Sequence, residues 1–224
     1  MKKTLALTLA LLLCVSILTG CQAYAEQLAH KLYDIPAPAT TAPSEAPSIR
    51  SGTIDGNTFT STWLGYTFTL NDGMDFVHLE LKPQVGKDDI VNEGLSEKIY
   101  SVRDFFIFYD VCIRFSDEYG AASIVATFMN LTGGVLDPQM TRERFAENLK
   151  SSSSLSRSIL ETESEVTIAD SSYTMLRYLI NSENGSYKTY YATVKDNVCF
   201  TFIVSCNENQ LATLDTFIST FKAV

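Results

Sequence analysis

Asp196-Asn197-Val198-Cys199-Phe200-Thr201-Phe202-Ile203-Val204-Ser205 decides the fold. Asp-Asn is tight-turn chemistry, because both residues tolerate positive φ. The run that follows is nearly all apolar with no alternation, which predicts a central strand covered on both faces. Upstream, Ser186 to Val194 pairs with it across that turn, and Asn184-Gly185 marks the turn before. Tyr173 to Asn181 alternates, with Thr174, Leu176, Tyr178 and Ile180 on one face, and Glu165 to Ala169 leads into it. Downstream, Asn207 with Gln210 three residues later is helix-capping chemistry. Leu211, Leu214, Phe217, Ile218 and Phe221 form the apolar stripe of that helix.

The N-terminal half adds more strands. Thr53 to Phe59 reads as a hairpin turning at Asp55-Gly56. Tyr66 to Leu70 alternates and stops at Asn71-Asp72-Gly73, and Phe76 to Lys82 alternates again. Ile90 to Tyr100 is expected to be a short helix. Phe105 to Phe115 is a long strand with Phe105, Ile107, Tyr109, Val111, Ile113 and Phe115 on one face and Asp110, Cys112 and Arg114 on the other. Ala122 to Leu131 is a further apolar strand. A helix should start near Thr141 and run to about Ser151, and Leu155 to Glu161 suggests one more helical turn. Antiparallel strands with separate helices predict an α+β domain, a mostly antiparallel sheet sandwiched by helices.

Ahead of this domain lie two segments of different character. Lys2 and Lys3 precede the apolar run Leu5 to Ile17, which has signal-peptide length and falls short of the roughly 20 residues a membrane span needs. Leu18-Thr19-Gly20-Cys21 follows, and it resembles the lipid-attachment box of bacterial lipoproteins. That resemblance implies cleavage before Cys21 and acylation of its sulfur, giving an extracytoplasmic protein anchored in the cell membrane. Two acyl chains make a stable anchor where one is marginal. From Gln22 to Arg50, Pro36, Pro38, Pro43 and Pro47 lie among Ala, Thr and Ser, a spacer composition. Its expected reach is about 30 Å as a free coil and about 90 Å in polyproline form. The expected organisation is a signal peptide over 1–20, lipidated cysteine and tether over 21–50, and one domain over 51–224.

Charge narrows the partners. The 224 residues carry 26 acids and 17 basic residues, a net charge of −9. Removing residues 1–20 takes away only Lys2 and Lys3 and leaves −11. Such a domain is not expected to bind nucleic acid, and its hold on the membrane should come from the anchor. An envelope protein or a cell-surface ligand remains as the expected partner.

Catalytic patterns are scarce. The two histidines are His30, in the tether, and His78, beside Glu80 and Lys82 on a polar strand face. A catalytic triad or a His/Cys zinc cage would be short of members. No phosphate-binding loop, dinucleotide fingerprint or nucleophile elbow occurs, so neither cofactor nor catalytic residue is assigned. Carboxylate chemistry needs no histidine. Asp110 and Arg114, about 13 Å apart along a strand, read as two separate surface charges. Cys199 and Cys206 sit too far apart in one strand to pair. Cys112 either meets one of them across strands or all three are buried thiols. Trp63, Tyr66, Tyr187, Tyr190 and Tyr191 combine apolar area with a polar tip and are the candidate binding surface.

Gly65-Tyr66-Thr67-Phe68-Thr69-Leu70-Asn71-Asp72-Gly73-Met74 is similar to the aromatic strand and Pro-x-Gly-Trp turn that open PsbP-like domains, with Asn71 in place of proline and Met74 in place of tryptophan. Tyr190-Tyr191, the Asp196-Asn197 turn, Val198 to Ser205 and Phe217-Ile218-Ser219-Thr220-Phe221 extend the resemblance over residues 50 to 224. It implies an antiparallel sheet between helices, no shared catalytic residues, and a role in binding or assembly. The expected function is a membrane-tethered binding or assembly module. An envelope enzyme working through carboxylates and a structural or stress lipoprotein without a specific pocket are the alternatives.

Overall fold

β13 (Val198–Asn207) is the centre of the molecule. In the computed structural model, which describes residues 48–77, 89–130, 137–152, 155, 158–181 and 185–224, it lies in an eight-stranded sheet. Its neighbours there are β12 (Ser186–Lys195) on one side and β9 (Gly120–Met129) on the other, both antiparallel. Beyond β12 come β11 (Ser171–Asn181) and the edge strand β10 (Ile159–Ile168). Beyond β9 comes β8 (Ile107–Asp117), whose outer edge takes β5 (Met74–Phe76) antiparallel and β6 (Ile90–Val91) parallel. A four-stranded sheet runs β14 (Lys222–Ala223), β4 (Tyr66–Thr69), β3 (Thr58–Ser61), β2 (Thr53–Asp55). β1 (Ser48–Arg50) pairs with β7 (Ile99–Ser101), so ordered pairing starts before residue 51. The helices among the described residues are α1 (Arg142–Lys150) and α2 (Leu211–Ser219), nine residues each.

Both faces of β13 are covered from Val198 to Phe202, as its nearly unbroken apolar run predicts, and from Ile203 on its outer face is only half-buried. On the inner face Phe200, Phe202 and Val204 join Phe108, Ile113, Ile124 and Phe128 of the large sheet. Phe59, Tyr66 and Phe68 of the small sheet and Leu214, Phe217 and Ile218 of α2 close over them. Rings dominate this layer: Phe68 stacks on Phe221 at 4.4 Å, and Phe200 meets Phe202 edge-on at 4.8 Å. On the outer face Cys199 and Ile203 lie under α1, through Phe145, Ala146 and Leu149. The molecule is mostly antiparallel sheet, as expected. It is richer in strand than the expected α+β sandwich, because a second sheet and α2 share the inner face and α1 covers only part of the outer one.

Local chemistry accounts for several boundaries. Asp196 and Asn197 adopt φ of 51° and 63° between β12 and β13. Asn207 and Gln210 form a reciprocal capping box over the 3₁₀ turn that leads into α2. Thr141 accepts a hydrogen bond from the Arg144 N–H and caps α1. Other expectations are corrected. Residues 90–100 form no helix: Ile90 and Val91 pair with Phe108 and Tyr109, Gly94 turns the chain at φ 74°, and Ile99 enters β7. Ile159 to Glu161 belong to β10, not to a helical turn. Residues 1–47 and 78–88, with Cys21, the tether as far as Pro47, His30 and His78, lie outside the described residues.

Candidate functional site

Among the described residues, the outer face of the large sheet is only half covered. α1 seats on one end, where Arg142 pairs with Glu165 at 2.9 Å and Lys150 with Glu163 at 3.0 Å. Such exposed pairs contribute about 0–1 kcal/mol each, so apolar packing of Phe145 and Ala146 carries the attachment. Past the helix the face is open, a depression of about 580 Å³ lined by Val77, Cys112, Arg114, Ser123, Ile180, Lys188 and Ser205. Register explains its chemistry. Lys188, Ser205, Ser123 and Arg114 are successive cross-strand neighbours on β12, β13, β9 and β8, and Asp75 of β5 continues the row. Arg114 meets Asp75 at 3.3 Å. One row nearer α1, Val125 and Cys112 are aligned in the same way with Ile203, which packs at the margin of the cluster beneath the helix. The open face is therefore a polar row beside an apolar one, with Ile180 41% exposed at its border.

Asp110 lies elsewhere than the sequence alternation places it. A β-bulge between Tyr109 and Val111 inserts it as an extra residue. The register shift puts Phe108, Val111, Ile113 and Phe115 on the buried side, and Ile107 and Tyr109 leave the face they were expected to share with them. Asp110 is 2% exposed instead of a surface charge, and Arg114 is on the open face. Asp110 Oδ1 accepts from the Gly52 N–H at 2.8 Å and from Asn92 Nδ2 at 3.0 Å, while Oδ2 has no partner among the described residues. Burial pushes its carboxyl up to about 7, against the opposing pull of those two donors. Asn92 Nδ2 also reaches the carbonyls of Gly52 and Asp110, and Asn92 Oδ1 accepts from the Gly94 N–H at 3.0 Å. A cavity of about 180 Å³ adjoins this knot at the sheet edge between β5 and β6, lined by Ile54, Phe76, Val91, Glu93, Asp110 and Val111 among others. A lone acid inside the run Phe105 to Phe115 was the available sequence signal. The bulge that buries it has no signature in the residues.

The five candidate aromatics do not converge. Tyr66 is 1% exposed, ringed by Phe59, Phe68, Phe202 and Phe221. Tyr191 is interior, its hydroxyl donating to Asp215 Oδ1 at 2.8 Å. Tyr190 packs edge-on against Tyr178 at 6.1 Å beneath α1. Trp63 and Tyr187 are half-buried. Trp63 sets its ring edge to Phe128 at 5.4 Å, and Lys195 Nζ lies 5.2 Å over it and donates to its carbonyl. Lys195 and Tyr187 sit at opposite ends of β12, roughly 26 Å apart. Cys112, Cys199 and Cys206 are free thiols. Cys112 and Cys199 belong to the outer face and Cys206 to the inner one.

Sequence reasoning missed a second polar group. Arg177 of β11 donates from Nη2 to both oxygens of Asp215 at 2.6 and 2.7 Å and from Nε to Thr189 at 3.1 Å. With Tyr191 this pins α2 to the inner face. Its place in the packing marks it as a clasp.

Comparison with solved structures finds a similarity to cyanobacterial PsbP (CyanoP) from Synechocystis sp. PCC 6803, at 15% identity and a TM-score of 0.40, over 85% of this chain and 100% of that one. No protein-family model matches the chain, and no curated protein matches it.

Proposed function

We propose that this chain is an extracytoplasmic bacterial lipoprotein whose folded part is a PsbP-like, non-enzymatic binding or assembly module, held to the cell membrane through Cys21. The sequence motifs of Leu18 to Cys21 and Gly65 to Met74 support the anchor and the domain type. The observation that carries the binding role is the open half of the large sheet. A sheet face normally needs a cover, and here the polar row and the apolar ground beside it, Cys112 and Val77 included, lie without one among the described residues. That pairing suits a protein surface or an envelope ligand. Photo-cross-linkers placed at Lys188 and Ser205 in intact cells test it, with Thr58 on the small sheet as control. Adducts confined to the first two positions are expected. Adducts at none, or equally at all three, would contradict the reading.

The carboxylate-enzyme reading has one observation in its favour: Asp110, with its raised pKa, and Glu93 line the same cavity. Against it, Oδ2 of Asp110, unpartnered among the described residues, is sealed from solvent, out of a substrate's reach.

A further inference from the structure

Asp110 joins three separate pieces of chain. Gly52 belongs to the corner between β1 and β2, Asn92 follows β6, and Asp110 is the bulge of β8. Two donors hold one carboxylate oxygen and, among the described residues, none holds the other. Protonated, the carboxyl leaves one O–H without an acceptor. Ionised, it leaves part of a full charge without compensation in a sealed site, which costs more.

The surroundings supply no rescue for that charge. From β4, the Tyr66 hydroxyl is likewise unpartnered among the described residues, and its pKa is raised by burial, by Asp110 and by Tyr173. From the segment after β6, Glu93 lines the adjoining cavity and pairs with Lys98 at 2.9 Å. From β8 itself come Tyr109 and Cys112, both raised by burial. Arg50 of β1 is engaged with Glu97 at 3.1 Å. Among the described residues no basic side chain contributes to holding the Asp110 charge.

We propose that Asp110 is a proton-operated latch: protonated, it lets the site stay closed over Gly52 and Asn92, and ionised, its uncompensated buried charge opens the adjoining edge cavity to water although both donors hold the anion more tightly. The proton passes to water when the site opens. The sign follows from linkage. The closed form binds the proton more tightly than the open form, whose carboxyl titrates in the ordinary range. Opening therefore becomes easier as pH climbs from about 4 to about 7 and levels off above that.

Amide hydrogen exchange of the full chain between pH 5 and 8, corrected for the intrinsic rate, tests this. Exchange in segments containing Gly52 and Asn92 to Gly94 should speed up roughly fifty-fold between pH 5 and pH 7, from one linked proton. The amides of β13, which wait for global unfolding, should exchange far more slowly than these segments at every pH. In Asp110→Asn the rise should vanish. Should that variant fail to fold, the carboxyl carbon of Asp110 in the parent protein, followed by NMR, gives an independent reading. Titration near 7 supports the latch, and titration near 4 overturns it. A flat exchange profile in the parent, or the same slope in Asp110→Asn, would also overturn it.

Discussion

Adding one methyl group at Gly52 tests the packing of the small sheet on the large one. A Cβ there would stand 2.0 Å from Phe59 Cζ, 2.5 Å from Cε2 and 2.8 Å from Cε1. The Phe59 ring has no free space: it is fully buried, 5.3 Å from the Phe68 ring and 5.9 Å from that of Tyr66. The backbone cannot retreat either. The Gly52 N–H donates to Asp110 and its carbonyl accepts from Asn92 at 2.8 Å. Overpacking costs about 1–3 kcal/mol, and a weakened buried hydrogen bond adds about 1 more. Gly52→Ala should therefore cost about 3 kcal/mol. Phe59→Leu alone removes ring carbons and should cost about 1–2 kcal/mol. The shorter side chain of Phe59→Leu, however, vacates the space that the new methyl group needs. The double variant should cost about 2 kcal/mol, well below the 4–5 kcal/mol of two independent losses. Urea unfolding followed by far-UV circular dichroism and by fluorescence of Trp63 measures all four proteins. A neutral Gly52→Ala, or penalties that add, would refute the packing argument.

Other consequences can be checked in parallel. Asp110→Asn should remove a decline in whole-molecule stability between pH 4 and pH 7 of up to about 4 kcal/mol, since the raised carboxyl favours folding only while protonated; denaturant melts at pH 4 and pH 7 measure it. Asp215→Ala strands the mostly buried Arg177 and frees the Tyr191 hydroxyl, so it should cost about 1–3 kcal/mol, discounted because Asp215 is partly exposed, while the double change with Arg177→Met should recover part of that. Burial pushes the thiols of Cys206 and Cys199 up to about 11 and about 12, so alkylation of the native protein at pH 8 should run about a hundredfold or more below a peptide thiol. Cys112, less buried, should label first, and unfolding without reductant should expose all three. Thr141→Ala should cost about 1 kcal/mol and loosen α1 from the sheet, read as faster exchange of its amides.

The parts of the fold legible from sequence are those where one residue pattern has one structural meaning. Val198 to Ser205 is nearly all apolar, and β13 is buried on both faces from Val198 to Phe202. The alternation of Thr174, Leu176, Tyr178 and Ile180 reads the outer face of β11 correctly, and Asn207 with Gln210 announces α2. Illegible parts depend on what comes to lie opposite. Ile90 and Val91 become strand only because β8 has a free edge there. The bulge at Asp110 reverses the faces of Ile107 and Tyr109, since a one-residue slip exchanges every side chain. Tyr66 and Tyr191 carry polar tips that suit a surface, yet burial claims both, one with a hydroxyl unpartnered among the described residues and one with Asp215. The row from Lys188 to Arg114 joins four strands, so no local window contains it.

The proposed role depends on the anchor that carries the module. Intact mass spectrometry of the native protein, extracted from host membranes with detergent, tests it most directly. The account predicts a chain beginning at Cys21 and carrying a diacylglyceryl group. An unacylated chain that still begins at Met1 would contradict it.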